Sequence, residues 1–318
     1  MKRALKSVLP GPVWERMKRS KKRASRTLRR MCERAGFSVA RTSDFYSPLP
    51  VESQIRKNAS RWYAPSDLLG IDYDLDEFRE LSSSLIDGYY LEFAGLPDYD
   101  EVLEKGFGPG YPAVDALMLY AMLRERRPAR YVEVGSGVST YYASVAATRN
   151  RGEGFPMQIE CIEPYPYEKL YEIPGIVVHA GEVQVVGQKP FLGLGKDDVL
   201  FIDSTHVLKI DGDVPYLYLN ILPALSSGVL IHIHDIPFPF NVPYPAEKWV
   251  LGTEWPVYWN EAMVLQAFLC FNPSFEIVLS LPLLRYYDER FVENTVPIYR
   301  PIHEEPNTFS SIWLRKVG

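Results

Sequence analysis

The sequence predicts an α/β fold in which helices cover both faces of a mostly parallel sheet. After residue 110, short apolar segments alternate with segments of helical period, which is the pattern of strands joined through helices. Strands connected in this way run parallel, and a parallel sheet is buried on both faces. The 318 residues are 47% hydrophobic, which is enough apolar material for one such core.

The first element is a basic arm, residues 1–41, which holds 14 Lys and Arg residues against two acids. Its net charge is +12, whereas the rest of the chain carries −17, so the total of −5 conceals a strong asymmetry. Four sparse apolar residues fit a helical stripe, namely Trp14, Met17, Leu28 and Met31. We expect the arm to contact an anionic membrane surface or an acidic partner, with a solvated tail as the alternative.

Residues 42–108 are polar, aromatic and interrupted by Pro and Gly, and they predict an N-terminal helical cap with one helix that ends near Gly88. Residues 109–318 are the predicted sheet domain. This domain begins with an amphipathic helix that Pro128 stops. The apolar face of the helix consists of Val114, Leu117, Met118, Ala121 and Met122.

Seven short apolar segments of the sheet domain predict strands. They are Tyr131–Val134, Ile159–Ile162, Ile176–His179, Val199–Ile202, Val229–Ile233, Phe275–Leu279 and Ser311–Leu314. Between the fourth and the fifth strand, residues 214–228 predict a helix that Gly228 closes.

The composition argues against several classes of protein. Cys32, Cys161 and Cys270 are far apart and odd in number, so we expect no disulfide framework, no cysteine zinc site and a cytoplasmic location. No run of about 18 apolar residues occurs, so no membrane span is predicted. The sheet domain lacks a basic surface pattern, which argues against a nucleic-acid partner.

A glycine turn, Glu133-Val134-Gly135-Ser136-Gly137, joins the first predicted strand to a helix that Ser139 or Thr140 can cap. Glycine lets the backbone approach a ligand closely, and parallel sheets bind ligands at this edge. The third glycine of the dinucleotide fingerprint is replaced by Thr140, which argues against NAD or FAD. A turn with an acid beside it favours a ligand with a cationic or amine-bearing end.

Acids also follow the next two predicted strands. Glu163 ends the second strand, 26 residues beyond Gly137, where a carboxylate can accept hydrogen bonds from both hydroxyls of a ribose. Glu182 follows the third strand and is placed to reach an adenine amino group. Three successive strand ends therefore predict a single nucleoside-binding edge.

The segments VEVGSGVST, CIEP and HAGEVQ resemble the cofactor motifs of the class I S-adenosylmethionine (SAM)-dependent methyltransferases. The resemblance implies a Rossmann-like sheet of seven strands whose last strand, in SIWLRK, is antiparallel. It also implies SAM as the cofactor, bound by Glu133, Gly135, Ser136, Gly137, Ser139, Thr140, Glu163, Glu182 and Asp203. The segments GYPAVDALMLY, FIDSTHV, HIHDI and WNEAMVLQAFL are similar to a bacterial subgroup that methylates small-molecule and sugar hydroxyls. We therefore expect a small-molecule or glycan acceptor.

Acids and histidines end the fourth and fifth predicted strands, and two interpretations stay open. In one, Asp203 and Asp235 hold a divalent cation such as Mg²⁺, with His234 as a further ligand, as in metal-dependent O-methyltransferases. In the other, Asp203 contacts the cofactor or orients His206, and His206 or His234 is the general base. His232 is predicted to be a buried histidine that hydrogen-bonds to the backbone.

Residues 236–260 contain five prolines and seven aromatic residues outside any helical period. Such a stiff loop after the fifth strand predicts a lid and an acceptor pocket. The helix that follows is predicted to pack in the core, with Asn260 and Glu261 as caps.

Two functional hypotheses follow from these patterns. The first is a SAM-dependent methyltransferase that acts on a hydroxyl. The second is a non-catalytic module that binds SAM or an anionic surface and uses residues 1–41, which would place the protein at a membrane periphery.

Overall fold

The computed structural model describes residues 11–42, 44–252, 256–301 and 309–318. The chain divides into two compact units, Met1–Trp62 and Tyr63–Gly318. The first unit contains helices α1 (Gly11–Arg34), α2 (Glu52–Lys57) and α3 (Ala59–Trp62).

The predicted helical stripe of the arm falls on α1, where Leu28 and Met31 are both more than half exposed. Residues 1–10 of the arm lie outside the described residues. Contact with an anionic surface stays a prediction. Among the described residues, no helix combines the length and the apolar character needed to cross a bilayer.

The second unit contains the sheet and the remaining helices. The strands are β1 (Arg130–Val134), β2 (Gln158–Glu163), β3 (Ile176–Ala180), β4 (Val199–Ile202), β5 (Leu230–Ile233), β6 (Phe275–Ser280) and β7 (Ile312–Lys316). The helices are α4 (Leu75–Phe93), α5 (Tyr99–Glu104), α6 (Ala113–Arg126), α7 (Val138–Gly152), α8 (Val183–Val186), α9 (Asp213–Tyr216), α10 (Ala246–Trp249), α11 (Glu261–Leu269) and α12 (Leu281–Thr295).

The sheet has the strand order β3-β2-β1-β4-β5-β7-β6. Strands β1 to β5 are parallel, whereas β7 lies antiparallel between β5 and β6. All seven predicted strands are confirmed to within two residues at either end. The predicted fold class, a Rossmann-like sheet with one antiparallel strand near the C-terminus, is therefore confirmed.

The segment 214–228, predicted as one regular helix, is instead a series of short helical turns of different kinds. After α9 the backbone forms one wide turn over Leu217–Ile221 and one tight turn over Leu222–Ala224. Pro223 lacks an N–H group and so cannot continue an α-helical ladder. Gly228 does end the segment, with a φ of +91°.

The helix predicted to end near Gly88 continues to Phe93 as α4. It packs on α6, α12 and β6, so it shares the core of the sheet. The domain boundaries predicted at residues 41 and 108 stay predictions.

Helix α6 is buried on all sides rather than amphipathic, because α4, α7 and the sheet surround it. The burial extends to a charged side chain, since Asp115 is 1% exposed.

Candidate active site

A cleft of about 1120 Å³ opens at the carboxyl ends of the parallel strands. The strand ladders continue past the strand ends and bring the segments that follow β1, β4 and β5 together. Gly135 N donates to the carbonyl of Ile162 at 3.0 Å, and Asp203 N donates to the carbonyl of Val134 at 2.8 Å. His234 N donates to the carbonyl of Ile202 at 2.9 Å. The residues singled out in the sequence therefore meet at one edge.

The glycine turn needs glycine at position 135 for two reasons. The φ of Gly135 is +86°, a conformation that side chains disfavour. A Cβ atom there would lie 2.0 Å from the carbonyl oxygen of Asp203. The ends of β1 and β4 can approach each other this closely only because Gly135 has no side chain.

Glu133 lies beneath this turn and is fully buried. Its carboxylate accepts hydrogen bonds from the hydroxyls of Ser139, Thr140 and Tyr131. Thr140 Oγ1 in turn accepts from Gly137 N at 3.0 Å, which caps α7 as predicted. Burial raises the pKa of Glu133 to about 7, against the opposing effect of these hydrogen bonds.

We expect Glu133→Gln to flatten the pH dependence of stability. The raised pKa means that the folded chain holds this proton more tightly than the unfolded chain, whose pKa is 4.5. The stabilisation is therefore full at acid pH and is lost as pH rises through 7, a change of about 2 to 3 kcal/mol between pH 5 and 8. Urea unfolding of both proteins across this range measures it, with the exposed Glu168→Gln as the control. Parallel pH curves for the wild type and Glu133→Gln would contradict the assignment.

Glu163 lines the cleft at the end of β2. One carboxylate oxygen accepts from Ser136 N at 3.2 Å and the other from Tyr165 N at 2.9 Å. Each oxygen keeps a further lone pair for a ligand, because a carboxylate oxygen accepts two hydrogen bonds.

Four of the nine residues predicted to bind the cofactor line the cleft: Gly135, Ser136, Glu163 and Asp203. Four others do not line the cleft, namely Glu133, Gly137, Ser139 and Thr140. The side chains of Glu133, Ser139 and Thr140 instead form the hydrogen-bonded group beneath the glycine turn. Glu182 is exposed and accepts from the side chain of Gln184 at 2.7 Å instead.

The predicted histidines and acids form one cluster in the cleft. His206 Nε2 lies 3.2 Å from Asp203 Oδ1 and 3.4 Å from Asp235 Oδ2. His234 Nδ1 lies 3.2 Å and 3.5 Å from the same two oxygens. On its far side, His206 Nδ1 lies 2.8 Å from Glu261 Oε2.

The carboxylates favour the charged form of both rings. Burial opposes this, yet the hydrogen bonds to Asp203 and Glu261 and the charge of Asp235 raise the pKa of His206 to about 10. The pKa of His234 is also raised, against burial, by the charges of Asp235 and Asp203. Burial alone would raise the pKa of Asp203, but the charges and hydrogen bonds of the two imidazoles outweigh burial and lower that pKa.

Sequence reasoning missed two residues of this cluster. Asp115 Oδ2 lies 3.2 Å from His234 Nε2 and accepts from Ser310 N at 2.9 Å. Ser310 Oγ donates to Asp235 Oδ1 at 2.8 Å. The sequence signal for Asp115 was an Asp among the apolar residues of α6, because a buried carboxylate needs polar or charged partners nearby. No signal marked Ser310.

The predictions for His232 and for the N-terminus of α11 have different outcomes. His232 is buried as predicted, but its Nε2 lies 2.9 Å from the hydroxyl of Tyr111 and not against a backbone group. Asn260 occupies the N-cap position of α11 as predicted, but its side chain does not cap the helix, because its Oδ1 accepts from Leu208 N. Glu261, the other predicted cap, turns toward His206. The backbone of His206 caps this helix instead, since its carbonyl accepts from Asn260 N and Glu261 N.

The predicted acceptor loop contributes aromatic walls to the cleft. The lining includes Tyr244, Trp249 and Trp259 of this loop together with Arg285 and Phe309. The guanidinium carbon of Arg285 lies 5.3 Å from the ring centre of Tyr244 and 4.6 Å from that of Phe309. Residues 253–255 of the loop lie outside the described residues.

A divalent cation fits the donor atoms of this cluster. One atom each from Asp203, His206 and Asp235 lie within 4.8 Å of one another. Carboxylate oxygen and imidazole nitrogen are both ligand types that divalent metal ions take in proteins.

Residues 132–236 match the family model described as a methyltransferase domain. An uncharacterised protein of Archaeoglobus fulgidus is 30% identical over 134 residues. These residues make up 40% of this chain and 58% of that protein, so the match spans little more than half of the relative's length.

One similar solved structure is the O-methyltransferase TomG of Streptomyces achromogenes in complex with SAM. It superposes with a TM-score of 0.41 at 13% sequence identity. The superposition covers 78% of this chain and 92% of TomG. An O-methyltransferase of Bacillus cereus superposes with a TM-score of 0.38 at 12% identity, over 64% and 91%. With TM-scores below 0.5, neither superposition carries a functional argument. Over residues 132–236, which run from β1 to just past β5, the chain is therefore similar to the methyltransferase-domain family.

Proposed function

We propose that the protein is a SAM-dependent methyltransferase that transfers the methyl group to a hydroxyl of a small-molecule or glycan acceptor. One observation supports this above the others: the glycine turn, Glu163 and the Asp203 cluster line a single cleft. A transferase needs its two substrates in line, so a cofactor half and an acceptor half must share one cavity.

The cofactor half is the part of the cleft lined by Gly135, Ser136 and Glu163. The carboxylate of Glu163, already fixed by two backbone N–H groups, accepts hydrogen bonds from the ribose hydroxyls. The turn brings its backbone against the nucleoside.

The acceptor half is the part lined by Tyr244, Trp249, Trp259 and Phe309. Their rings suit the face of a sugar or of a planar aromatic acceptor. Asp203 and Asp235 lie between the two halves and would hold a divalent cation there. Such a cation lowers the pKa of an acceptor hydroxyl at neutral pH.

The geometry favours this cation over a histidine base. A general base needs a nitrogen lone pair that faces the acceptor. Both nitrogens of His206 face carboxylates, and both nitrogens of His234 do so as well. The rings therefore hold the carboxylates in place, and a cation held by Asp203 and Asp235 would lower the pKa of the acceptor hydroxyl so that water in the cleft could take its proton.

Isothermal titration with SAM tests the cofactor half without knowledge of the acceptor. We expect the wild type to bind SAM and Glu163→Ala to bind it at least about tenfold more weakly, the equivalent of 1.4 kcal/mol. The exposed Glu168→Ala, which lies outside the cleft, is the matched control. An absence of binding by the wild type would refute the proposal, and undiminished binding by Glu163→Ala would refute the placement of the ribose.

A further inference from the structure

We infer that His206, oriented by Glu261, is the third protein ligand of the cation between Asp203 and Asp235, and that this donor set selects a first-row transition ion over Mg²⁺. The inference rests on the cation-assisted form of the proposed function.

The first support is the spacing of the donor atoms. Two ligand atoms that lie about 2.1 Å from a common ion are about 3.0 to 3.4 Å apart when adjacent in octahedral or tetrahedral geometry. His206 Nε2 lies 3.2 Å from Asp203 Oδ1 and 3.4 Å from Asp235 Oδ2. Each of the two carboxylate oxygens therefore already has the spacing of a ligand adjacent to His206 Nε2, and the three donor atoms lie within 4.8 Å of one another.

The second support is the carboxylate behind the ring. Histidines that bind a metal commonly donate the other ring N–H to a carboxylate, which fixes the ring and makes the free nitrogen more basic. His206 Nδ1 lies 2.8 Å from Glu261 Oε2, and the two residues are 4% and 1% exposed. The same carboxylate also interacts with the buried hydroxyl of Tyr218, which further fixes it. Glu261 is thus a positioning residue for the ring.

The third support is the backbone at the proposed ligands. His206 and Asp235 have φ values of +58° and +56°. Residues other than glycine adopt this conformation at a cost of about 1 kcal/mol or more, and such residues cluster at functional sites. The His206 carbonyl also accepts from two N–H groups of α11, so the backbone and the ring of His206 are fixed to the same helix.

The donor set decides the class of ion. Mg²⁺ binds oxygen ligands and keeps its waters, whereas imidazole nitrogen is a preferred ligand of the later first-row ions. Two carboxylate oxygens and one imidazole leave open positions for an acceptor hydroxyl. A bound divalent ion would replace the proton on His206 Nε2. Two positive charges would then lie between the carboxylates of Asp203 and Asp235 in place of one.

Titration of the metal-free protein with Co²⁺ and with Mg²⁺ at pH 8 tests the selection. We expect Co²⁺ to bind at least about tenfold more tightly. His206→Asn should weaken Co²⁺ binding at least about tenfold. Glu261→Gln, which keeps an acceptor oxygen, should weaken it less than Glu261→Ala does. His179→Asn is the matched control, because the ring of His179 also pairs with a glutamate, Glu160, at 3.0 Å but lies outside the cleft.

Electron spin echo modulation of bound Mn²⁺ gives a reading on the wild type that needs no variant to fold. Modulation from one imidazole nitrogen is expected. Mn²⁺ bound without nitrogen modulation, or Mg²⁺ bound as tightly as Co²⁺, would overturn the inference. If SAM binds but no divalent ion does, the inference fails and SAM-dependent transfer stands. If ions bind as expected but SAM does not, only the proposed function fails.

Discussion

Replacement of Asp203 by Asn is expected to reduce methyl transfer at least about a thousandfold while the chain stays folded. That loss corresponds to about 4 kcal/mol of transition-state stabilisation. Asp203 Oδ1 is shared by His206 and His234, and it is one of the two acidic ligands of the proposed cation. Asn has the same shape and keeps an acceptor oxygen but carries no charge, so it weakens the cation ligand and removes the negative charge that the two rings share.

The measurement is transfer of the radiolabelled methyl group of SAM to whichever phenol or sugar the wild type methylates in a library screen. Asp211→Asn is the control, because Asp211 is an exposed residue with a φ of +61°, which Asn tolerates. Circular dichroism should show the same melting curve for all three proteins to within a few degrees. Turnover of Asp203→Asn at the wild-type rate would show that the reaction takes place elsewhere.

Replacement of Gly135 by Ala is expected to destabilise the fold by more than about 3 kcal/mol and to abolish SAM binding. The added Cβ atom meets the carbonyl oxygen of Asp203 at 2.0 Å, and that oxygen belongs to backbone and cannot rotate away. Relief of the clash must therefore separate the ends of β1 and β4. The same movement displaces both the cofactor turn and Asp203.

Gly154→Ala separates the two costs. The φ of Gly154, just past the end of α7, is +92°, close to that of Gly135, but an added Cβ atom there meets nothing within 4 Å. We expect this control to lose only about 1 kcal/mol, the conformational cost alone, and to bind SAM normally. Urea unfolding and SAM titration of both variants make the comparison. Equal stability of the two variants would mean that the strand ends are not closely packed.

The strands and the glycine turn were predictable because their causes are local. A buried parallel strand is a short apolar run, and a tight turn needs glycine, so both are visible in a few consecutive letters. The prediction over 214–228 failed at Pro223, where one missing N–H group outweighed a good apolar period.

The partners in the candidate site were not predictable because they are distant in the sequence. Glu261 lies 55 residues from His206, and its position at the start of a helix suggested a cap. Glu133 was predicted to face the ligand because it begins the motif. The structure instead turns it toward Ser139 and Thr140, and only the packing of α7 on the turn decides between the two orientations.

The left-handed backbone at His206 and Asp235 restricts which amino acids a mutational scan can usefully place there. Asn and Gly tolerate these angles, whereas β-branched residues do not. A Val or Ile at either position would fail for reasons of backbone geometry alone, whatever the side chain contributes to the reaction. At these two positions, only substitutions by Asn or Gly can separate what the side chain does from what the main chain requires.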